Sequence, residues 1–139
     1  MNRYCYTYQS VIESVGEMLD SLQSILTKHK IEGNLASAIM LTASEAFTNA
    51  LIHGNHQNPN KSIQVDIEIN PLTVKIEVID QGSGEIDFAE NRLLSEPMLE
   101  NGRGIVLMKH YTTDLQFSKI KSGGVKVSMR FDRTIEYES

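Results

Sequence analysis

Ile63-Gln-Val-Asp-Ile-Glu-Ile69, then Asn70-Pro71, then Leu72-Thr-Val-Lys-Ile-Glu-Val78 is the stretch that decides the fold class. Ile63, Val65, Ile67 and Ile69 alternate with polar residues, and Leu72, Val74, Ile76 and Val78 do so again. Alternation with a period of two belongs to a strand with one buried face. A connection as short as Asn70-Pro71 predicts an antiparallel hairpin, since parallel strands need a long crossover. A second hairpin is predicted from Leu115–Ile120 and Val125–Phe131 around Lys121-Ser-Gly-Gly124.

Upstream, residues 3 to 8 alternate with Tyr4, Tyr6 and Tyr8 on one side, a further strand. Val11, Val15, Met18, Leu22, Ile25 and Leu26 recur at helical spacing to about Lys30, with Ser10 as the expected N-cap. A second helix is predicted from about Leu35 to Ile52, stopped by Gly54, and then a loop from Asn55 to Lys61. Residues 85 to 101 read as an irregular polar loop, and Ile105 to His110 as a short helix. The strands therefore come in pairs rather than singly between helices. That order predicts an α+β fold, a mixed and mostly antiparallel sheet with helices on one face, and argues against a doubly wound dinucleotide fold.

The chain has 139 residues, which favours a single domain over 1–139. Its one cysteine, Cys5, allows no internal disulfide, and the N-terminus carries no apolar signal core, so a cytoplasmic protein is expected. No uninterrupted apolar run approaches the ~20 residues that span a bilayer, so no membrane partner is expected. A net charge of -5 without a Lys/Arg cluster argues against nucleic acid.

Three segments carry candidate chemistry. Glu45, Asn49 and His53 fall at i, i+4 and i+8, on one face of the second helix. They read either as a solvated polar stripe or as a metal-holding Asn with a Glu general base one turn away. Asp80-Gln-Gly82-Ser-Gly84 closes a strand. It is either plain turn grammar or an acceptor for an adenine amino group with glycines admitting the base. Asn101-Gly102-Arg103-Gly104 leads into Ile105-Val-Leu-Met108, either a loop-to-helix junction or an anion site at a helix start.

Taken together, in this order and spacing, the segments resemble the GHKL ATPase superfamily of gyrase, the heat-shock chaperones, histidine kinases and MutL. Ala43-Ser-Glu45-Ala-Phe-Thr-Asn49-Ala-Leu-Ile-His53-Gly54 resembles its Asn box, Asp80 to Gly84 its first glycine box, and Gly102 to Met108 its second. Within it the chain is most similar to the anti-sigma-factor serine/threonine kinases. It starts with a strand and two helices, carries no histidine-bearing dimerisation helix, and has a short loop between the glycine boxes.

The resemblance implies a Bergerat-type two-layer sandwich that binds ATP and Mg²⁺. It also implies a kinase that holds a sigma factor and phosphorylates a small STAS-domain antagonist, the anti-anti-sigma protein. It assigns Glu45 as general base, Asn49 to Mg²⁺, Asp80 to the adenine amino group, and Gly82, Gly84, Gly102, Arg103 and Gly104 to the nucleotide loops. Two positions depart from the pattern. Val125 stands where a Thr usually follows the last glycine, and Glu100-Asn101 stand where some relatives carry a basic residue. Such a chain could also bind nucleotide without transferring phosphate, or serve as a detached histidine-kinase-like catalytic domain. The Tyr4, Tyr6 and Tyr8 stripe reads as core packing or, on an edge strand, as a homodimer or partner surface.

Overall fold

The computed structural model describes residues 1–82 and 100–135. Its strands are β1 (Asn2–Gln9), β2 (Ser62–Ile69), β3 (Thr73–Ile79), β4 (Asp114–Lys119) and β5 (Val125–Asp132). Its helices are α1 (Glu13–Lys28), α2 (Gly33–Asn49), which runs on through a π-helical turn Ala50–Gly54, and α3 (Glu100–Tyr111). The strands form one sheet in the order β1-β2-β3-β5-β4. Every pairing is antiparallel, the limit of the mostly antiparallel sheet expected from the sequence.

Register turns the alternation into layers. Tyr4 faces Ile67, Ile67 faces Ile76, Ile76 faces Met129, and Met129 faces Leu115, one inward row across all five strands. The next row runs Tyr6, Val65, Val78, Val127 and Phe117. A slip of one residue would turn both rows to solvent, so the buried face fixes the register. The opposite face carries Cys5, Asp66, Glu77, Ser128 and Gln116 in register.

The helices cover the inward face. α1 buries Met18, Leu22, Ile25 and Leu26, and α2 buries Ala38, Ile39, Ala43, Ala46 and Phe47. α3 packs against α2 and buries Ile105 and Met108. The tyrosine stripe belongs to this core. Tyr4, Tyr6 and Tyr8 pack on it half-buried, Tyr8 meets Phe47 edge-to-face at 5.7 Å, and Tyr4 Oη is hydrogen-bonded to His29 Nε2 at 2.7 Å.

Several boundaries differ from the sequence reading. Ser10 does not cap α1. It is buried, its N–H donates to Lys61 O at 3.0 Å, and the N-cap position falls to Ile12 without a side-chain cap. The Ser14 hydroxyl instead donates back to Gln9 O at 2.7 Å, tying the helix to the end of β1. α3 begins at Glu100, not Ile105, so Gly102, Arg103 and Gly104 lie inside its first turns. Packing of Ile105 and Met108 on α2 outweighs the ~1 kcal/mol that each glycine costs a helix. The helical run Gly33–Gly54 is 22 residues long, with a mean hydropathy of 1.3 over its best window, long and apolar enough to cross a bilayer by those measures. The sequence reading missed it because Thr42, Ser44, Thr48 and Asn49 interrupt the apolar residues. Here it serves as the central core helix, with Phe47 and Leu51 fully buried.

Candidate functional site

Asp80 ends β3 at the point where three chain segments meet. It is buried, with 6% of its surface exposed. Its N–H donates to Val125 O at 3.1 Å. Its Oδ1 accepts from the Gly82 N–H at 2.9 Å and from the Val125 N–H at 3.0 Å. The carboxylate is thus held from two sides by backbone donors, and among the described residues both of its hydrogen bonds end on Oδ1.

Glycines close around it. A Cβ on Gly54 would fall inside the contact radius of the Asp80 carboxylate, 3.0 Å from Asp80 Cβ. On Gly82 it would lie 2.9 Å from Gly54 C and 3.2 Å from Asp80 Oδ1. On Gly124 it would lie 2.8 Å from Asp80 C. None of the three has a positive φ, so steric approach rather than backbone conformation requires the glycine. The result is a cradle with side-chain oxygens and bare backbone at its wall.

The polar face of α2 leads to this cradle. Glu45, Asn49 and His53 are all half-buried, while their neighbours Ala43, Ala46, Phe47, Ala50 and Leu51 are buried. At 1.5 Å per residue, Asn49 lies roughly 7 Å and Glu45 roughly 13 Å along the axis from Gly54. The helix widens to a π turn directly after Asn49, with the Asn55 N–H donating to Ala50 O at 2.8 Å. Such turns are rare and recur at functional sites.

The structure therefore brings Asp80 and Gly82 into one cluster and places Glu45 and Asn49 on the helix that abuts it. Gly102, Arg103 and Gly104 sit on α3, which packs beside α2; the side chain of Arg103 is outside the described residues. Gly84 and the loop expected over 85–101, apart from Glu100 and Asn101 in α3, also lie outside them. Three residues were missed in the sequence: Gly54, Gly124 and Asn55. Gly54 was read only as a helix stop and Gly124 as part of a hairpin turn. Asn55, 1% exposed, was read as loop, yet it ties α2 to the strand ends.

Cys5, exposed on the outer sheet face, is held above the usual thiol range by its hydrogen bond to Asp66, with a smaller contribution from burial. Burial raises Tyr8. Hydrogen bonds from the Thr134 side chain and backbone lower Asp132.

Residues 8–131 match a family described as histidine kinase-like ATPase domain. The anti-sigma F factor of Heyndrickxia coagulans is 34% identical over 92 residues, 63% of each chain. That of Clostridium beijerinckii is 33% identical over 97 residues, 66% of this chain and 67% of the relative. The chain thus spans about two thirds or less of the lengths of these relatives. Among solved structures, the SiaB–SiaC complex from Pseudomonas aeruginosa superposes with a TM-score of 0.70 at 12% identity, over 92% of this chain and 88% of that one. At that identity the likeness concerns the fold.

Proposed function

Because this chain belongs to the histidine kinase-like ATPase domain family, we propose that it is an ATP-binding anti-sigma factor. In this reading it works in the cytoplasm as a serine/threonine kinase on a small STAS-domain antagonist protein. The observation that carries the reading is the glycine cradle around Asp80, in which any Cβ would collide with the carboxylate or the adjoining backbone. The glycines let three backbone segments close on the carboxylate and fix its position, and the carboxylate offers an acceptor for an exocyclic amino group.

The donor set on α2 fits the other half of the ligand. Asn49 presents an amide on the same helix face as the Glu45 carboxylate, both reached by solvent. Asn49 would hold Mg²⁺, a hard ion suited to oxygen ligands. When bound, Mg²⁺ neutralises charge on the phosphates during transfer. Glu45 would accept the proton of the attacking serine hydroxyl as the new O–P bond forms and the bond to the departing ADP breaks. The Gly102 N–H, in the first turn of α3, and the Arg103 side chain would bind phosphate, with Gly104 keeping the helix surface bare for its approach. Gly84 would border the base. The anti-sigma F factor names of the relatives support the partners, a sigma factor and its antagonist.

Val125 favours a second reading. It contributes a backbone N–H to Asp80 but no side-chain hydroxyl, consistent with a switching module that binds nucleotide without transferring phosphate. Two measurements test the proposal. Calorimetric titration with ATP, with and without Mg²⁺, is expected to give micromolar binding that requires the ion and falls in Asn49→Ala. Absence of binding at ~1 mM, weaker than about -4 kcal/mol, would refute the ATP site. Incubation with labelled ATP and an antagonist protein then separates the readings: transfer abolished by Glu45→Ala supports the kinase, and binding without transfer supports the module.

A further inference from the structure

The geometry points to Asn55 as a positioning residue that sets the Asp80 carboxylate for base recognition, a role that rests on the proposed nucleotide reading. Asn55 is a buried amide with both ends engaged. Its Oδ1 accepts from the Gln81 N–H at 2.7 Å, and its Nδ2 donates to Ser62 O at 2.9 Å. These partners admit only this orientation of the amide, since one is a donor and the other an acceptor. Ser62 closes the circuit, its N–H donating to Gln81 Oε1 at 2.6 Å.

The consequence lies one residue away on each side. Asn55 follows Gly54, which abuts the Asp80 carboxylate, and Gln81 separates Asp80 from Gly82, whose N–H holds Oδ1. A single amide therefore fixes both the helix end that presses on the carboxylate and the backbone that grips it. It also joins the base end of the site to α2, which carries Asn49 and Glu45. Without the Asn55 side chain the Gln81 N–H and the Ser62 carbonyl would lose these partners, which costs more than the bonds themselves contribute, so loss of Asn55 would loosen the turn rather than leave it intact.

A base-selectivity ratio separates positioning from mere stabilisation. Competition titrations with ATP and inosine triphosphate read it, because the inosine base carries a carbonyl where adenine carries the amino group. Asn55→Ala is expected to lower the ATP-over-ITP preference by 5- to 30-fold, by weakening ATP while ITP changes little. Equal weakening of both nucleotides, or unchanged affinity for both, would overturn the role. Should Asn55→Ala not fold, Asn55→Ser serves, since its short hydroxyl keeps a polar group in the buried site but cannot span from the Gln81 N–H to Ser62 O. A 2- to 5-fold fall in the ratio is expected there, and an unchanged ratio overturns the role equally. Wild-type protein that binds no ATP would instead sink the nucleotide reading itself, whereas wild-type binding with an unaffected ratio in the variants sinks only Asn55.

Discussion

Gly54→Ala should destabilise the protein even though it adds a good helix former to a helical turn. Taken alone, the exchange at a negative φ gains about 0.5–1 kcal/mol by restricting the unfolded chain. Against this stands the new methyl group, which would lie 3.0 Å from Asp80 Cβ and closer still to the carboxylate. Asp80 cannot swing aside without giving up the Gly82 and Val125 N–H donors. Overpacking of this kind costs about 1–3 kcal/mol, and a contact this short with a pinned carboxylate falls in the upper half of that range, so the net loss is about 1–2.5 kcal/mol. For a chain of this size that lowers the midpoint of thermal unfolding by roughly 4–10 °C. Gly16→Ala is the internal control. Gly16 lies in α1, is exposed, and its Cβ would meet nothing within 4 Å. There the same exchange should raise the midpoint by roughly 2–4 °C. Circular dichroism melts of the two variants beside wild type give the answer. A Gly54→Ala protein that melts at or above the wild-type temperature would refute the cradle, because the carboxylate would then have room that these contacts deny it.

Phe47→Ala removes a fully buried ring from the junction of α2 and β1, and should cost about 3–5 kcal/mol in denaturant unfolding. Asp66→Asn should bring the Cys5 thiol back down toward its ordinary range, since the hydrogen bond to that carboxylate is the leading cause of its rise. Alkylation by iodoacetamide at pH 7–8 should then run several-fold faster in the variant, and an unchanged rate would contradict the assignment. Asp80→Asn offers an amide where the proposed site has a carboxylate facing the base, so its ATP affinity should fall at least tenfold while its fold, read by circular dichroism, is retained. Chelation of Mg²⁺ with EDTA should weaken ATP binding in wild type but leave Asn49→Ala unchanged; equal sensitivity in both would remove Asn49 from the metal site.

The strands were legible because their alternation is local and strict. β2 and β3 match the predicted hairpin nearly residue for residue, and the same pattern placed β1 and β5. Helix ends were less so. Ser10 has the composition of a cap, but the ladder claims its N–H for Lys61 O, and the helix waits until Glu13. Gly102 and Gly104 have the composition of a turn, but tertiary packing of α3 on α2 draws them into the helix. Asp80, Gly82, Glu45 and Asn49 stood out because each sits in a short run with its own grammar. Gly54, Gly124 and Asn55 did not, since their requirement is a close approach between segments far apart in the chain.

That same distance weighs against reading the Asp80 turn as turn chemistry alone. A strand-ending turn accounts for Gly82 and for the bond from its N–H to Asp80 Oδ1. It does not account for Gly54, which closes a helix at negative φ, nor for Gly124. In the β4–β5 turn Gly123 already supplies the positive φ, at 107°, so Gly124 is free of any local demand for glycine. Its constraint among the described residues is Asp80, whose carbonyl carbon would lie 2.8 Å and whose Oδ1 would lie 3.1 Å from a Cβ. Three glycines from three segments, two of them without a local reason, converge on one buried carboxylate. Close packing of backbone does not require a carboxylate at its centre; a Ser or Asn would satisfy the same two N–H donors at lower desolvation cost. The proposed nucleotide reading supplies a reason for an acidic side chain there, a ligand that donates to it, and Asp80→Asn, which keeps shape and removes charge, is the substitution that isolates this demand.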